Sequence, residues 1–364
     1  QHDRVDLWDT YHCSVAPCLA ETAPKRIRGT LVAVDQFMIV FGQLVAYSMN
    51  AWLSHVNGGP RVAIEGTQDM VAWDSVANNI DVVASVTGGN GMTWRYMLVL
   101  ATIPAILLWL GMHMMPETAR WYGAKERYFE AIGALKRIRQ EDVDDVEQEI
   151  YEIVEVNEAA KDEEHWHFRQ IVGTNWTRKI LLIGIFIGFF DQLTGINTAM
   201  YYLPKILNAA GFNMADSIML NVITGLASAI GAGVGLYFVY RFMRRHVAIY
   251  QETGIVIALF SLAIVFGFGI APHMDADGNI TSAIPVFLPW LVLVLVAIFV
   301  FVKQSGTVAW ILVSEIFPSR IRGVAQGMAV GGLWIMNAVV TFAFPVMIAG
   351  LGPAWTYAIF GLIN

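Results

Sequence analysis

"ETAPKRIRG", Glu21 to Gly29, and "EIFPSRIRG", Glu315 to Gly323, write one phrase twice. Six of the nine positions are identical, and the copies stand 294 residues apart. What lies between them decides the fold. Apolar residues make up 56% of the 364-residue chain and charged residues 15%, with a mean hydropathy of +0.53. A soluble domain carries roughly 25% charged residues. Crossing ~30 Å of hydrocarbon takes about 20 predominantly apolar residues. Seven segments meet that test, at 30–53, 95–115, 180–203, 217–240, 247–271, 286–314 and 324–348. An eighth begins at Pro353 and is cut off at Asn364. Too little polar sequence remains to coat a soluble particle. The ten-residue alternation of a membrane β-barrel is absent. The expected class is an all-α membrane protein with seven full spans and part of an eighth.

Lys and Arg set the orientation. The segment before the first span holds Lys25, Arg26 and Arg28. The connection 54–94 has Arg61, with Arg95 at its edge, whereas 116–179 is rich in base. Lys205 then stands alone, Arg241, Arg244 and Arg245 cluster, "HMDADGNIT" has no base, and Arg320 and Arg322 follow. Rich and poor connections alternate, so the rich ones face the cytoplasm. Cys13 and Cys18 have no metal-type partner and read as ordinary thiols.

The phrase recurs after six crossings on the same side of the membrane, in the same orientation. Two parallel six-span halves, a design of secondary transporters, produce that pattern. Fourteen residues after each terminal Gly stands a carboxamide, Gln43 and Asn337. At ~1.5 Å per residue both lie about 21 Å into the membrane. Within the phrase, Pro stops helix extension and Gly frees a tight turn. Two readings of its charges stay open. Arg and Lys hold the loop inside, or Glu21 with Arg28 and Glu315 with Arg322 form a gate that locks the halves together.

These residues carry a resemblance. "APCLAETAPKRIRG", "FGQLVAY", "PETARW" (Pro116–Trp121), "DQLTGINTAMYY" (Asp191–Tyr202), "AWILVSEIFPSRIRG" and "WIMN" follow one another as in a sugar porter of the major facilitator superfamily. The chain is most similar to the bacterial proton-coupled xylose-transporter branch, from about residue 14 to its end. The resemblance implies an incomplete major facilitator fold. Residues 1–20 would be a remnant of the fourth span, 21–115 the end of the N-terminal half with the fifth and sixth spans, 116–178 a cytoplasmic helical linker, and 179–364 the C-terminal half. The chain is thus expected to be a fragment. The polar opening "QHDRVDLWDTYH" cannot cross a membrane and is no signal peptide.

The resemblance also implies roles. Gln43, Gln192 and Asn197 match sugar-binding carboxamides, Trp310 a stacking indole and Gly306 a small cavity-lining residue. Trp334 and Asn337 match the eleventh span, Glu21, Arg28, Arg120, Arg244, Glu315 and Arg322 the inner charge network, and Tyr201 and Tyr202 the outer gate. General chemistry agrees. A carboxamide donates and accepts at once, as a sugar hydroxyl requires. An indole offers a flat apolar face and one donor. For Trp310 and Trp334, plain packing or an interfacial belt remains the alternative.

Four positions depart from the family pattern: Asp191 for Gln, Leu333 for a carboxamide, Lys303 in the tenth span, and Tyr240 with Met243 in the turn "VYRFMRR". Asp191 and Lys303 explain each other. Both lie about 18–21 Å deep at ~1.5 Å per residue, and Lys303, Gly306 and Trp310, spaced i, i+3, i+7, are expected to share one helix face. Unpaired, each charge is costly in the membrane, so an ion pair inside the cavity is expected and Asp191 joins the substrate-binding set. Gly184, Gly188, Gly225, Gly231 and Gly235 read as close helix packing. The connection 55–94 reads as a loose loop or short helix.

No Walker motif, metal cluster or catalytic triad occurs, so neither an enzyme nor an ATP-driven pump is expected, and no cofactor. The expected function is alternating-access transport of a monosaccharide or polyol across the cell membrane by a multi-pass monomer, with no nucleic-acid partner. The resemblance implies proton symport in the intact protein. A transporter-like sugar sensor and an inactive truncated transporter are the alternatives.

Overall fold

The computed structural model describes residues 24, 28–58, 60–66, 69–76, 82, 85–90, 92–114, 117–139, 145–162, 168–273, 284–306, 309, 312–313, 316–318 and 321–364. Among them seven helices are long and apolar enough to cross a membrane: Phe37–Val56, Thr93–Met114, Asn175–Ala209, Met214–Phe238, Arg245–His273, Phe287–Gln304 and Gly323–Ile363. They fall on the seven expected spans. The chain divides into two units, 1–39 with 102–165, and 40–101 with 166–364. Helix α1, Arg28–Val56, contributes to both.

In the first unit the apolar helix Thr102–Met114 (α3) is followed by α4, Ala119–Ala124, α5, Tyr128–Ile138, and α6, Val146–Asp162. These last three are the short amphipathic helices expected of the linker. Ala131, Ala134 and Leu135 recur at helical spacing on α5, so they form one buried stripe. The stripe packs with Ala119 and Ile153. Thr118 caps α4, its Oγ1 accepting the Trp121 N–H at 3.2 Å. Arg139, just past α5, donates from Nε and Nη2 to the two carboxylate oxygens of Glu149, each at 2.8 Å. That fork ties the end of α5 to α6.

In the second unit the connection 55–94 is neither a loose loop nor a helix alone. It carries a three-stranded antiparallel sheet in the order β2-β1-β3, with β1 at Arg61–Ile64, β2 at Val71–Ala72 and β3 at Val86–Gly89. Gly58 (φ +74°) and Gly66 (φ +86°) flank β1 and let the chain reverse on either side of it. The short helix α2, Thr93–Leu100, follows the sheet.

The rest of this unit is a bundle of α8, Asn175–Leu193, α9, Ile196–Ala209, α10, Met214–Arg241, α11, Arg244–Ile264, α12, Phe287–Gln304, and α13, Arg322–Ile363. The six-residue helix Phe168–Gly173 (α7) leads into it. Helix α8 lies along α13 and α10 along α12, while α11 packs on both α12 and α13. Leu203 and Leu207 of α9, Ile255 and Leu259 of α11, and Phe299 of α12 fill the main core. On the outside, α8 presents Ile183, Phe186 and Phe190, each about half exposed, at helical spacing. An apolar exterior of this kind suits a hydrocarbon solvent.

Three breaks position the site. Gly195 takes the left-handed conformation (φ +75°) and ends α8, so α9 restarts the same span. Gly352 (φ +79°) divides α13, and Pro353 opens the piece beyond it, where the eighth span was expected. Helix α12 stops at Gln304 instead of running to 314. Ser305 and Gly306 are weak helix formers, and Gln251 of α11 occupies the space where a Cβ on Gly306 would stand. Gly306 therefore lies beyond the helix end and does not share a helix face with Lys303 as expected, while Trp310, the third member of that face, lies outside the described residues.

The glycines act as expected, by close packing. A Cβ on Gly231 of α10 would lie 2.6 Å from the Phe301 carbonyl oxygen of α12. Backbone cannot swing aside as a side chain can. Gly231→Ala is expected to cost about 1–3 kcal/mol. Gly327→Ala, where no atom lies within 4 Å, is expected to gain up to about 1 kcal/mol from helix propensity. Thermal unfolding in lipid nanodiscs checks the order. A Gly231→Ala chain as stable as the original contradicts this packing.

Candidate functional site

The polar residues of the bundle gather where α8 and α12 end. The last carbonyls of a helix are unpaired and carry partial negative charge, which favours a cation and disfavours an anion. Lys303 occupies the last turn of α12 and suits its place. Asp191 occupies the last turn of α8 and does not, unless something offsets its charge. The Lys303 ammonium does so, donating to Asp191 Oδ1 at 2.6 Å. Both side chains are more than nine-tenths buried. The expected ion pair is present and lies inside the bundle.

A chain of hydrogen bonds extends from this pair. Gln192 Nε2 donates to Asp191 Oδ2 at 3.1 Å. Asn197 Nδ2 donates to Gln192 Oε1 at 2.6 Å and to Asn337 Oδ1 at 3.0 Å. Thr341 Oγ1 donates to the same Asn337 oxygen at 3.2 Å. The chain runs from α12 through α8 and α9 to α13 and crosses the Gly195 break. Thr194 and Thr198 secure the break locally, their hydroxyls donating to the Asp191 and Gly195 carbonyls at 2.8 and 2.6 Å. Gln251 Nε2 donates to the Lys303 carbonyl at 3.0 Å and fastens α11 to the end of α12. Lone carboxamides in hydrocarbon would cost several kcal/mol each, which drives them together.

Gln43 arrives on α1. Its Nε2 lies 2.7 Å from the Tyr47 hydroxyl and 2.9 Å from Met200 Sδ. Tyr47 donates in turn to the Met200 carbonyl at 3.3 Å. Met200 stands one turn beyond Asn197 on α9, so Gln43 meets the same face that carries the carboxamide chain.

Of the residues expected in the site, Asp191, Gln192, Asn197 and Asn337 are joined directly and Gln43 is their neighbour. Gly306 is buried against Gln251. Trp334 stands one turn before Asn337 on α13, 56% exposed and outside the hydrogen-bonded chain. Trp310 lies outside the described residues. The two tyrosines part company. Tyr202 donates to the Thr341 carbonyl at 3.3 Å and its ring lies 5.4 Å from Phe344, whereas Tyr201 is 57% exposed. Of the inner network, Arg120 is an exposed residue of α4. Glu21 and Glu315 lie outside the described residues, as do the side chains of Arg28, Arg244 and Arg322.

Sequence reasoning missed Gln251, Thr341 and Tyr47. Gln251 was discoverable as a carboxamide inside the apolar run 247–271, and Thr341 as the hydroxyl one turn beyond Asn337. Among the described residues, Asn197 Oδ1 and Asn337 Nδ2 have no protein partner. One is an acceptor and the other a donor, on helices already bridged to each other. Together they can receive a hydroxyl that donates and one that accepts.

Truncating one member of the ion pair leaves a buried charge. Lys303→Met or Asp191→Asn alone is expected to cost about 3–5 kcal/mol, and the double variant far less than the sum. Unfolding of the four proteins in nanodiscs measures the coupling, and strictly additive losses contradict the pair.

Comparison with known proteins places this geometry. The family described as Sugar (and other) transporter matches residues 11–364. The chain is 33% identical over 353 residues to the putative metabolite transport protein YfiG of Bacillus subtilis, covering 96% of this chain and 63% of that protein. It is 31% identical over 352 residues to the major myo-inositol transporter IolT of the same organism, covering 95% and 64%. Among solved structures, the major facilitator superfamily proton:xylose symporter XylE bound to 6-bromo-6-deoxy-D-glucose superposes with a TM-score of 0.66 at 26% identity, covering 96% of this chain and 64% of that one. The chain thus spans less than two thirds of the length of each of these proteins.

Proposed function

The chain belongs to the sugar (and other) transporter family of multi-pass membrane proteins, and from that membership we propose that it binds a monosaccharide or polyol and moves it across the membrane by alternating access. The observation that carries the reading is the carboxamide chain from Gln192 through Asn197 to Asn337. A polyhydroxylated ring offers hydroxyls that donate and accept at adjacent carbons. Asn197 Oδ1 takes one as donor, and Asn337 Nδ2 gives to its neighbour. Gln43 Oε1, on α1, supplies a further acceptor toward the same helix face. Each such bond contributes about 1 kcal/mol net. Four or five together correspond to a dissociation constant from roughly one millimolar to a few tenths of a millimolar.

The same contacts supply the motion. A hydroxyl held by Asn197 Oδ1 pulls on the carboxamide whose nitrogen bonds Gln192 and Asn337. Those bonds cross the Gly195 break and reach α13, so sugar binding loads a hinge between α8 and α9. Membrane transporters commonly build such sites from interrupted helices. Leu333, buried on α13 where a carboxamide is expected, narrows the polar lining and moves the preference away from xylose. A six-membered polyol or hexose fits this lining, in keeping with the relative described as a myo-inositol transporter. Proton symport is part of the proposal, in keeping with the solved proton:xylose symporter.

Titration of the chain in nanodiscs with pentoses, hexoses and inositols, followed by tryptophan fluorescence, tests the reading. At least one polyol is expected to bind, and Asn197→Ala to weaken it about tenfold, equivalent to about 1.4 kcal/mol. Binding of no saccharide or polyol, or unaltered affinity in Asn197→Ala, overturns it.

A further inference from the structure

A half-enclosed hollow of about 220 Å³ lies toward the far end of α9 from Asn197, between α9, the continuation of α11, and α13. It belongs to the end of the bundle away from Arg241 and Arg245. Irregular backbone forms its walls. Beyond Ile264, α11 continues as a π-helical stretch, Val265–Ile270, which supplies Phe266. Such stretches are rare and are found mostly at functional sites. On the other side Pro345 lies within α13 and removes a backbone donor, and Gly352 divides that helix before Tyr357. The wall is aromatic and continuous. The ring of Tyr202 lies 5.4 Å from that of Phe344, Phe344 6.4 Å from Tyr357, and Tyr357 5.8 Å from Phe266. Ala349, small enough to leave the space open, stands beside them.

Two polar groups stand at this apolar wall without an ordinary protein partner. Tyr357 is 2% exposed, and its hydroxyl has no hydrogen-bond partner among the described residues. Buried groups in that state are rare. Lys205, exposed at the rim, holds its ammonium 5.8 Å from the centroid of the Tyr202 ring and has no carboxylate within 4 Å among the described residues. Volume, wall and charge select the occupant. An apolar cavity of about 150 Å³ holds a benzene ring, so this one takes a ring and a small substituent. Aromatic rings gain from offset and edge contacts with one another. None of the side chains around the hollow is a carboxamide, so it does not duplicate the polyol site. We propose that it is a second binding site, for a small aromatic carboxylate: the ring lies against Phe266, Phe344 and Tyr357, and the carboxylate accepts from the Lys205 ammonium. Tyr202 donates to the Thr341 carbonyl and Thr341 to Asn337, so an occupant bears on the contact between α9 and α13. Any change it makes in polyol affinity is returned to it by the same factor. The inference stands on the hollow itself and does not require the transport reading.

Fluorine NMR of para-fluorobenzoate, titrated with the chain in zwitterionic nanodiscs and with empty nanodiscs to subtract partitioning, reads the binding directly. Saturable binding is expected, displaced by benzoate and not by acetate, which has the charge without the ring. Lys205→Met keeps the side-chain stem, removes the ammonium and is expected to weaken binding about tenfold, whereas Lys205→Arg retains it. Ala349→Leu fills the hollow and is expected to abolish binding. Asn197→Ala, in the polyol site, is expected to leave it unchanged. Thermal unfolding of each variant shows that it is folded, and Lys205→Arg separates loss of charge from loss of structure. Binding that does not saturate, that acetate displaces as readily as benzoate, that is unaltered in Lys205→Met or Ala349→Leu, or that is lost in Asn197→Ala overturns the proposal.

Discussion

The Lys303 ammonium stands 2.6 Å from the Asp191 carboxylate where two membrane helices stop, and the bundle is arranged around that contact. In hydrocarbon neither charge is tolerable alone. Once paired, they fix the ends of α8 and α12 side by side. Asp191 then orients Gln192, Gln192 orients Asn197, and Asn197 reaches Asn337. A single electrostatic requirement thus places four polar side chains of the proposed site. It also explains why an acid can sit at a helix C-terminus, where its own helix repels it.

The breaks matter as much as the contact. A continuous helix pairs its own backbone groups and has nothing to offer a solute. Gly195 and the Ser305–Gly306 step interrupt two spans at the same polar cluster. Glycine at 231 and 235 lets α10 approach the last turn of α12 so closely that side chains are excluded. Rigid packing on one side and an interrupted pair of helices on the other is the arrangement that the proposed transport cycle uses, with Asn197 beside the break. That is the physical content of a hinge here.

Much of this was legible in the sequence. Seven apolar runs matched the seven membrane-length helices of the described residues, whereas the twin phrase ending at Gly29 and Gly323, read as marking two parallel halves, lies partly outside those residues. Asp191 and Lys303 could be paired in advance because each is prohibitive alone at similar depth. Other features were not legible. The strands from Arg61 to Gly89 are two to four residues long, too short for period-two alternation to stand out, and the glycines beside them read equally well as loop. Helix α12 stops at Gln304, and Gln251 packs in the space beside Gly306, a tertiary contact that spacing along one helix cannot reveal. The same continuity assumption put Gly306 on a face with Lys303. Gln251 and Thr341 were overlooked because a single polar residue in a long apolar run carries no periodic signal.

The central claim is that polar side chains from α8, α9 and α13 surround a hydrated pocket that a polyol can fill. Thiol accessibility tests it most directly. With Cys13 and Cys18 replaced by serine, Thr341→Cys in lipid nanodiscs is challenged with a small, water-soluble, membrane-impermeant thiol reagent. The account predicts labelling from the aqueous phase, slowed when a bound hexose or inositol fills the space beside Asn337. A thiol that water cannot reach, or one whose labelling no saccharide or polyol slows, would contradict it.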